Sequence, residues 1–72
     1  MNKNTKEKFG LKVRIERQKL KISQEKLAEL TGLNKNSISL IERGKTNVTI
    51  TNIENIANAL KIEIADLFNF II

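Results

Sequence analysis

The sequence predicts an all-α protein, a compact bundle of five short helices. Three observations carry this. The 72 residues contain no proline. No stretch alternates apolar and polar residues between turn signals. Apolar residues recur three and four apart along most of the chain, the spacing of one helix face. A chain of this length is a single domain, near the size at which one core just suffices.

Residues 1–7, MNKNTKE, read as a flexible polar N-terminal arm, and residues 8–72 as the domain. The first helix is expected from about Lys8 to Lys19 or Leu20, with Phe9, Val13, Arg17 and Leu20 on one stripe. The second starts at Ser23 as N-cap, with Gln24 and Glu25 in its first turn and Leu27, Leu30 and Thr31 inward. Lys26 stands where a capping box would place glutamate. The third begins at Asn34 and stops at Gly44, whose lack of a Cβ suits a left-handed terminator. The fourth follows Thr49 and buries Ile50, Ile53, Ile56, Ala57 and Leu60. The fifth, from about Ile64, offers Leu67, Phe68 and Ile71. No internal repeat or linker is present.

Charge is unevenly placed. Residues 1–46 carry 12 of the 13 lysines and arginines but five of the eight acidic residues. The remainder holds Lys61 against Glu54, Glu63 and Asp66. A basic N-terminal two-thirds suits a polyanionic partner, nucleic acid before membrane. Cysteine and histidine are absent, which removes disulfides, thiol nucleophiles, the usual general base and the common metal ligands. The three glycines are too far apart for a phosphate loop, and the carboxylates sit among lysines at helix spacing, as surface pairs do. The reading is of a non-enzyme with no metal, no cofactor and no evident small-molecule effector. With no long apolar run and no signal peptide, a cytoplasmic protein is expected.

The stretch SQEKLAELTGLNKNSISLIERGK, Ser23 to Lys45, contains a local conflict. Lys35 opens the third helix beside the positive end of its dipole, which costs about 0.3–1 kcal/mol. Asn36, Ser37 and Ser39 beside it are mediocre helix formers. The same stretch meets the demands of two helices that cross steeply through a tight turn. Ala28 is small where backbones approach, Gly32 suits a positive φ in the turn, and Leu27, Leu33, Ile38 and Ile41 point into a shared core. Together these form a helix-turn-helix pattern.

That stretch closely resembles the DNA-binding domain of the Cro/C1-type (Xre-like) repressors. The resemblance runs from FGLKVRIERQKL through NVTITNIENIANALKI to ADLF, about residues 9–68. The latter part looks most like the small controller proteins of bacterial restriction–modification systems. The resemblance implies a lambda-repressor-like five-helix bundle whose third helix enters the major groove of double-stranded DNA. A helix weakened at its own start is then explained by function. Lys35 can meet guanine or a phosphate, Asn36 adenine, Ser39 either kind of base, and Leu40, expected to be exposed, a thymine methyl. Gln24, Asn34, Arg43, Lys45 and Asn47 are expected at phosphates. Relatives are often more basic in the loop after the third helix, and Thr46 stands there here, which leaves that position without an expected base contact. The family also pairs an arginine of the first helix with a glutamate late in the third, matched here by Arg17 and Glu42.

Two functions are compatible with this resemblance. One is a transcriptional regulator that binds a palindromic operator as a homodimer, controlling restriction–modification genes. The other is an antitoxin-type module that masks a toxin and autoregulates its operon. Antitoxins generally carry a further toxin-gripping segment, and the chain stops soon after the fifth helix, which favours the regulator. The ending LFNFII offers a dimer interface through Leu67, Phe70, Ile71 and Ile72, or else folds back over Leu11 and Ile15 of the first helix.

Overall fold

A computed structural model describes residues 3–70 of the chain. Five helices follow in order: α1, Lys3–Lys19; α2, Gln24–Thr31; α3, Lys35–Glu42; α4, Ile50–Leu60; and α5, Ile64–Leu67. They enclose one core in which Phe9, Val13, Leu27, Ile38, Ile56 and Leu67 are fully buried. The all-α expectation holds across the described residues.

α1 starts at Lys3 rather than near Lys8, so residues 3–7 form its first turns and not a polar arm. The cause is tertiary. Glu7 lies against the turn after α3, so closely that a Cβ on Gly44 would sit 2.7 Å from Glu7 Cα. Packing of this kind holds helical turns that local propensity would leave frayed. Three residues further on, Gly10 faces the backbone carbonyls of Ile41 and Glu42, and a Cβ there would collide with both. At its other end α1 departs again from expectation. Leu20 is 41% exposed, because the chain turns through Lys21 at φ 58, and Ile22 packs against the core instead.

α2 is capped as its sequence requires, Ser23 Oγ accepting from Lys26 N at 2.9 Å. It buries Leu27 and Ala28, but Leu30, expected inward, is half exposed. α3 and α4 cover the Leu27–Ala28 side of α2, leaving Leu30 over an open depression with Asn55 and Ala59. The tight turn uses Gly32 at φ 76, and both Gly32 and Leu33 donate their backbone N–H to Ala28 O. α3 then begins with Asn34 Oδ1 accepting from Ser37 N at 2.8 Å. It buries Ile38 and Ile41 and is followed by Gly44 at φ 69.

α4 starts where Thr49 Oγ1 accepts from Asn52 N at 3.1 Å. Ile53, Ile56, Ala57 and Leu60 are buried as expected, but Ile50 is 82% exposed. Ile50 is the first helical residue and projects ahead of the wall that covers the later turns. α5 is a single turn closed by Glu63 N donating to Asp66 Oδ2 at 3.0 Å.

Leu67 overturns an expectation about the tail. It is fully buried within the single chain, so it is a core residue and not part of an interface. Phe68 is partly exposed and stacks on Phe9 with ring centroids 5.2 Å apart. Phe70 lines a shallow depression with Leu11 and Ile15 of α1, which is the fold-back arrangement. Ile71 and Ile72, the remaining interface candidates, lie outside the described residues.

Candidate nucleic-acid interface

The site is built on α2 and α3, held at a fixed angle by the buried ion pair beneath them. Glu42 ends α3 with its carboxylate wholly enclosed. Arg17 Nε donates to Glu42 Oε2 at 2.6 Å and its Nη2 to Oε1 at 3.1 Å. The third donor direction of Arg17 is used as well, Nη1 reaching Ile22 O at 2.8 Å. Gln24 Nε2 donates to the same carboxylate at 3.0 Å, and Arg14 Nε stands 3.6 Å from it. One carboxylate therefore ties together α1, the start of α2 and the end of α3.

The pairing of Arg17 with Glu42 is the one the family resemblance implies; the Arg14 and Gln24 contacts to Glu42 are additional. A signal for Arg14 did exist. Arg14 is three residues before Arg17 and so shares its face of α1. Gln24 was assigned to phosphate alone, and the contact to Glu42 shows that one of its amide hydrogens is used internally. Of the backbone N–H groups opening α2, that of Lys26 is taken by Ser23 Oγ, and those of Gln24 and Glu25 have no intrahelical acceptor. The two jobs combine well, because a side chain anchored to α3 fixes the direction in which those groups point.

Lys35 and Asn36 are exposed in the first turn of α3, which contains no acidic residue. No hydrogen bond or ion pair among the described residues engages either side chain. Asn34 spends its side-chain oxygen on capping α3, so only its amide hydrogens remain for an anion. Arg43 folds back along α3, its Nε donating to Ser39 Oγ at 3.2 Å and to Ser39 O at 3.3 Å. Ser39 and Arg43, separately assigned to base and phosphate, are thus brought together as one unit. Lys45 and Asn47 are exposed in the loop that follows. Leu40 differs from expectation. It is half-buried and walls a cleft between α3 and the loop to α4.

Not every cation serves this face. Lys12 and Lys19 both pair with Glu16, at 2.7 and 3.1 Å. The ammonium of Lys12 hydrogen-bonded to Glu16 holds its carboxyl below the usual carboxylate range against the opposing effect of burial, with Lys19 adding to the depression. Among the described residues no helix is long and apolar enough to cross a membrane, and no group of three or more acidic residues is placed to hold a metal ion.

Comparison with known proteins gives a consistent picture. The family model described as helix-turn-helix matches residues 13–67. Control protein C.BamHI from Bacillus amyloliquefaciens is 46% identical over 71 residues, covering 97% of this chain and 88% of the relative. The crystal structure of the restriction-modification controller protein C.AhdI from Aeromonas hydrophila superposes with a TM-score of 0.88 at 42% identity, covering 90% of this chain and 94% of that one. The P22 c2 repressor, solved in complex with a synthetic operator, superposes with a TM-score of 0.79 at 31% identity, covering 85% and 92%.

Proposed function

The chain belongs to the helix-turn-helix family, and on that premise we propose that it is a sequence-specific DNA-binding transcriptional regulator of the restriction–modification controller type. It binds a palindromic operator as a homodimer. The observation that carries this is the first turn of α3, where Lys35 and Asn36 stand exposed and unengaged on a helix fixed from below by Glu42. The recognition helix enters the major groove with that turn leading. Lys35 and Asn36 read bases, with Ser39 setting the direction of Arg43, while Gln24, Asn34, Arg43, Lys45 and Asn47 hold phosphates. The antitoxin alternative has less behind it, since the relative at 46% identity is a control protein. The names of the relatives point to regulation rather than to an enzymatic reaction.

Reading and positioning separate experimentally. Lys35→Ala and Asn36→Ala should each weaken operator binding by about 1–3 kcal/mol and leave unrelated DNA almost unaffected. Lys45→Ala should weaken both kinds of DNA alike and flatten the salt dependence by about one unit. The operator comes from selection of bound sequences out of a random pool. An Asn36→Ala protein that selects the wild-type sequence with wild-type affinity would show that α3 is turned differently in the groove.

The dimer rests on economy and on exposed surface. A single module buries only about 600–1,000 Å² on DNA, too little for useful specificity. The C-terminal third also leaves Ile50 and Ile64 uncovered, and such residues mark interfaces when they lie together. In a two-fold dimer the two copies of α3 stand about 34 Å apart, and half-sites fall about 10 bp centre to centre. Sedimentation equilibrium should give a dimer for the wild type and a shift toward monomer for Ile50→Ser/Ile64→Ser. A monomeric wild type that footprints one half-site would defeat the dimer.

A further inference from the structure

We infer that Arg14 is a phosphate-binding residue, a guanidinium on α1 held ready by Glu42 for the DNA backbone that passes the start of α2. The inference rests on the DNA-binding reading proposed above and adds a contact from outside the helix-turn-helix unit. Charge balance singles out this arginine. Glu42 carries one negative charge, and two guanidinium groups stand beside it. Arg17 takes both carboxylate oxygens, at 2.6 and 3.1 Å, and is nearly buried. Arg14 Nε stands 3.6 Å from Oε1, beyond the range of an N–H···O hydrogen bond. That oxygen already accepts from Gln24 Nε2 and Arg17 Nη2. Arg14 is thus drawn toward the carboxylate without being consumed by it.

Two arginines on one carboxylate leave a net positive charge, and Arg14 carries it to the surface. Its side chain is 43% exposed, and no hydrogen bond among the described residues engages its N–H groups. Other cations nearby are occupied. Lys12 and Lys19 share Glu16, Lys26 pairs with Glu29 at 3.5 Å, and Arg43 folds onto Ser39. Place supports the same role. Gly10, one helical turn before Arg14, lies against the backbone of Ile41 and Glu42, so Arg14 shares the side of α1 that meets the end of α3. Gln24 opens α2 and donates to the very oxygen that Arg14 faces. Arg14 and the first turn of α2 therefore flank a single atom, and a phosphate at that turn has the guanidinium beside it. With Nε turned to Glu42, the two terminal nitrogens are left for the phosphate oxygens, whose geometry the planar fork matches. The pull of Glu42 also limits the freedom of a long side chain before DNA arrives, which lowers the entropic cost of the contact.

The test replaces each phosphate of the operator selected from a random pool, in turn, by a methylphosphonate, which removes one backbone charge. Arg14→Ala should bind the unmodified operator and unrelated duplex DNA about tenfold more weakly than the wild type, the lower end for one charged hydrogen-bonded contact. It should also flatten the salt dependence by about one unit. Its melting temperature should stay within a few degrees of the wild type, because an ion pair this exposed adds little. One phosphate in each half-site should be sensitive to neutralisation in the wild type and insensitive in Arg14→Ala. Lys45→Ala should keep its sensitivity at that phosphate. Arg14→Lys should restore the salt slope and Arg14→Gln should not. Methylphosphonate scans that agree between wild type and Arg14→Ala would overturn the assignment, as would a variant that binds unrelated DNA as tightly as the wild type does. A variant that melts far below the wild type and loses affinity equally on every modified duplex would overturn it too, in favour of a structural role. If the wild type selects no duplex from the pool, the DNA-binding reading itself fails, a result distinct from failure at Arg14 alone.

Discussion

Replacing Glu42 with alanine should destabilise the protein by about 3–5 kcal/mol, because it leaves a nearly buried guanidinium without its anion. Arg17 keeps only the Ile22 carbonyl as a partner in that variant, and its side chain is 12% exposed, too little for water to replace the carboxylate. Arg14, at 43% exposure, turns to solvent at little cost. For a domain of this size each kcal/mol corresponds to about 4–8 °C in melting temperature, so the variant should melt far below the wild type or fail to fold at 37 °C. The double variant Arg17→Met/Glu42→Leu should recover much of the loss, since a well-packed apolar pair replaces a buried ion pair at little or no cost. DNA binding should stay impaired in the double variant, because Gln24 loses the acceptor that aims the start of α2. Calorimetry and binding titrations separate the two effects. Equal melting temperatures for wild type and Glu42→Ala would contradict the burial of the pair.

The second large effect is expected at Gly10. Gly to Ala inside a helix ordinarily stabilises by about 1 kcal/mol, because it removes backbone freedom from the unfolded chain. Here the sign should reverse. The added methyl would strike the carbonyl oxygens of Ile41 and Glu42, and these are backbone atoms of α3 that cannot swing aside as a side chain would. Overpacking of this kind costs about 1–3 kcal/mol and displaces the helices that meet there. Since α3 carries Lys35 and Asn36, operator affinity should fall along with the melting temperature. A Gly10→Ala protein that melts higher than the wild type would show that α1 and α3 do not approach so closely.

Gly10 illustrates where sequence reasoning stops. Read along the chain, it weakens a helix near its expected start; against α3, it is the reason two helices can touch. The start of α1 follows the same logic. Polar residues 3–7 carry no apolar periodicity that signals a helix, and Glu7 among them lies against the turn at Gly44. The end of α4 is equally obscure, because a lysine and not a glycine takes the left-handed position there, Lys61 at φ 62, whereas α1 ends at Lys19 as its sequence suggests. By contrast, the caps at Ser23, Asn34 and Thr49 all fall where the sequence places them. A capping bond spans three residues, so its whole cause lies within one short stretch of chain.

The same division governs the site. The sequence alone determined the all-α class, the α2–turn–α3 unit and the unusual cation opening α3. Each depends on interactions between neighbours in the chain or on a spacing that recurs along it. Only the tertiary structure decided that Leu67 is core, that Leu20, Leu30 and Ile50 are uncovered, that Leu40 is half-buried, and that Gln24 and Arg14 gather on Glu42. Helical periodicity tells which residues share a face, but whether that face is covered depends on where other helices cross it. That crossing is set by close approaches such as Gly10 on α3, between residues more than thirty positions apart.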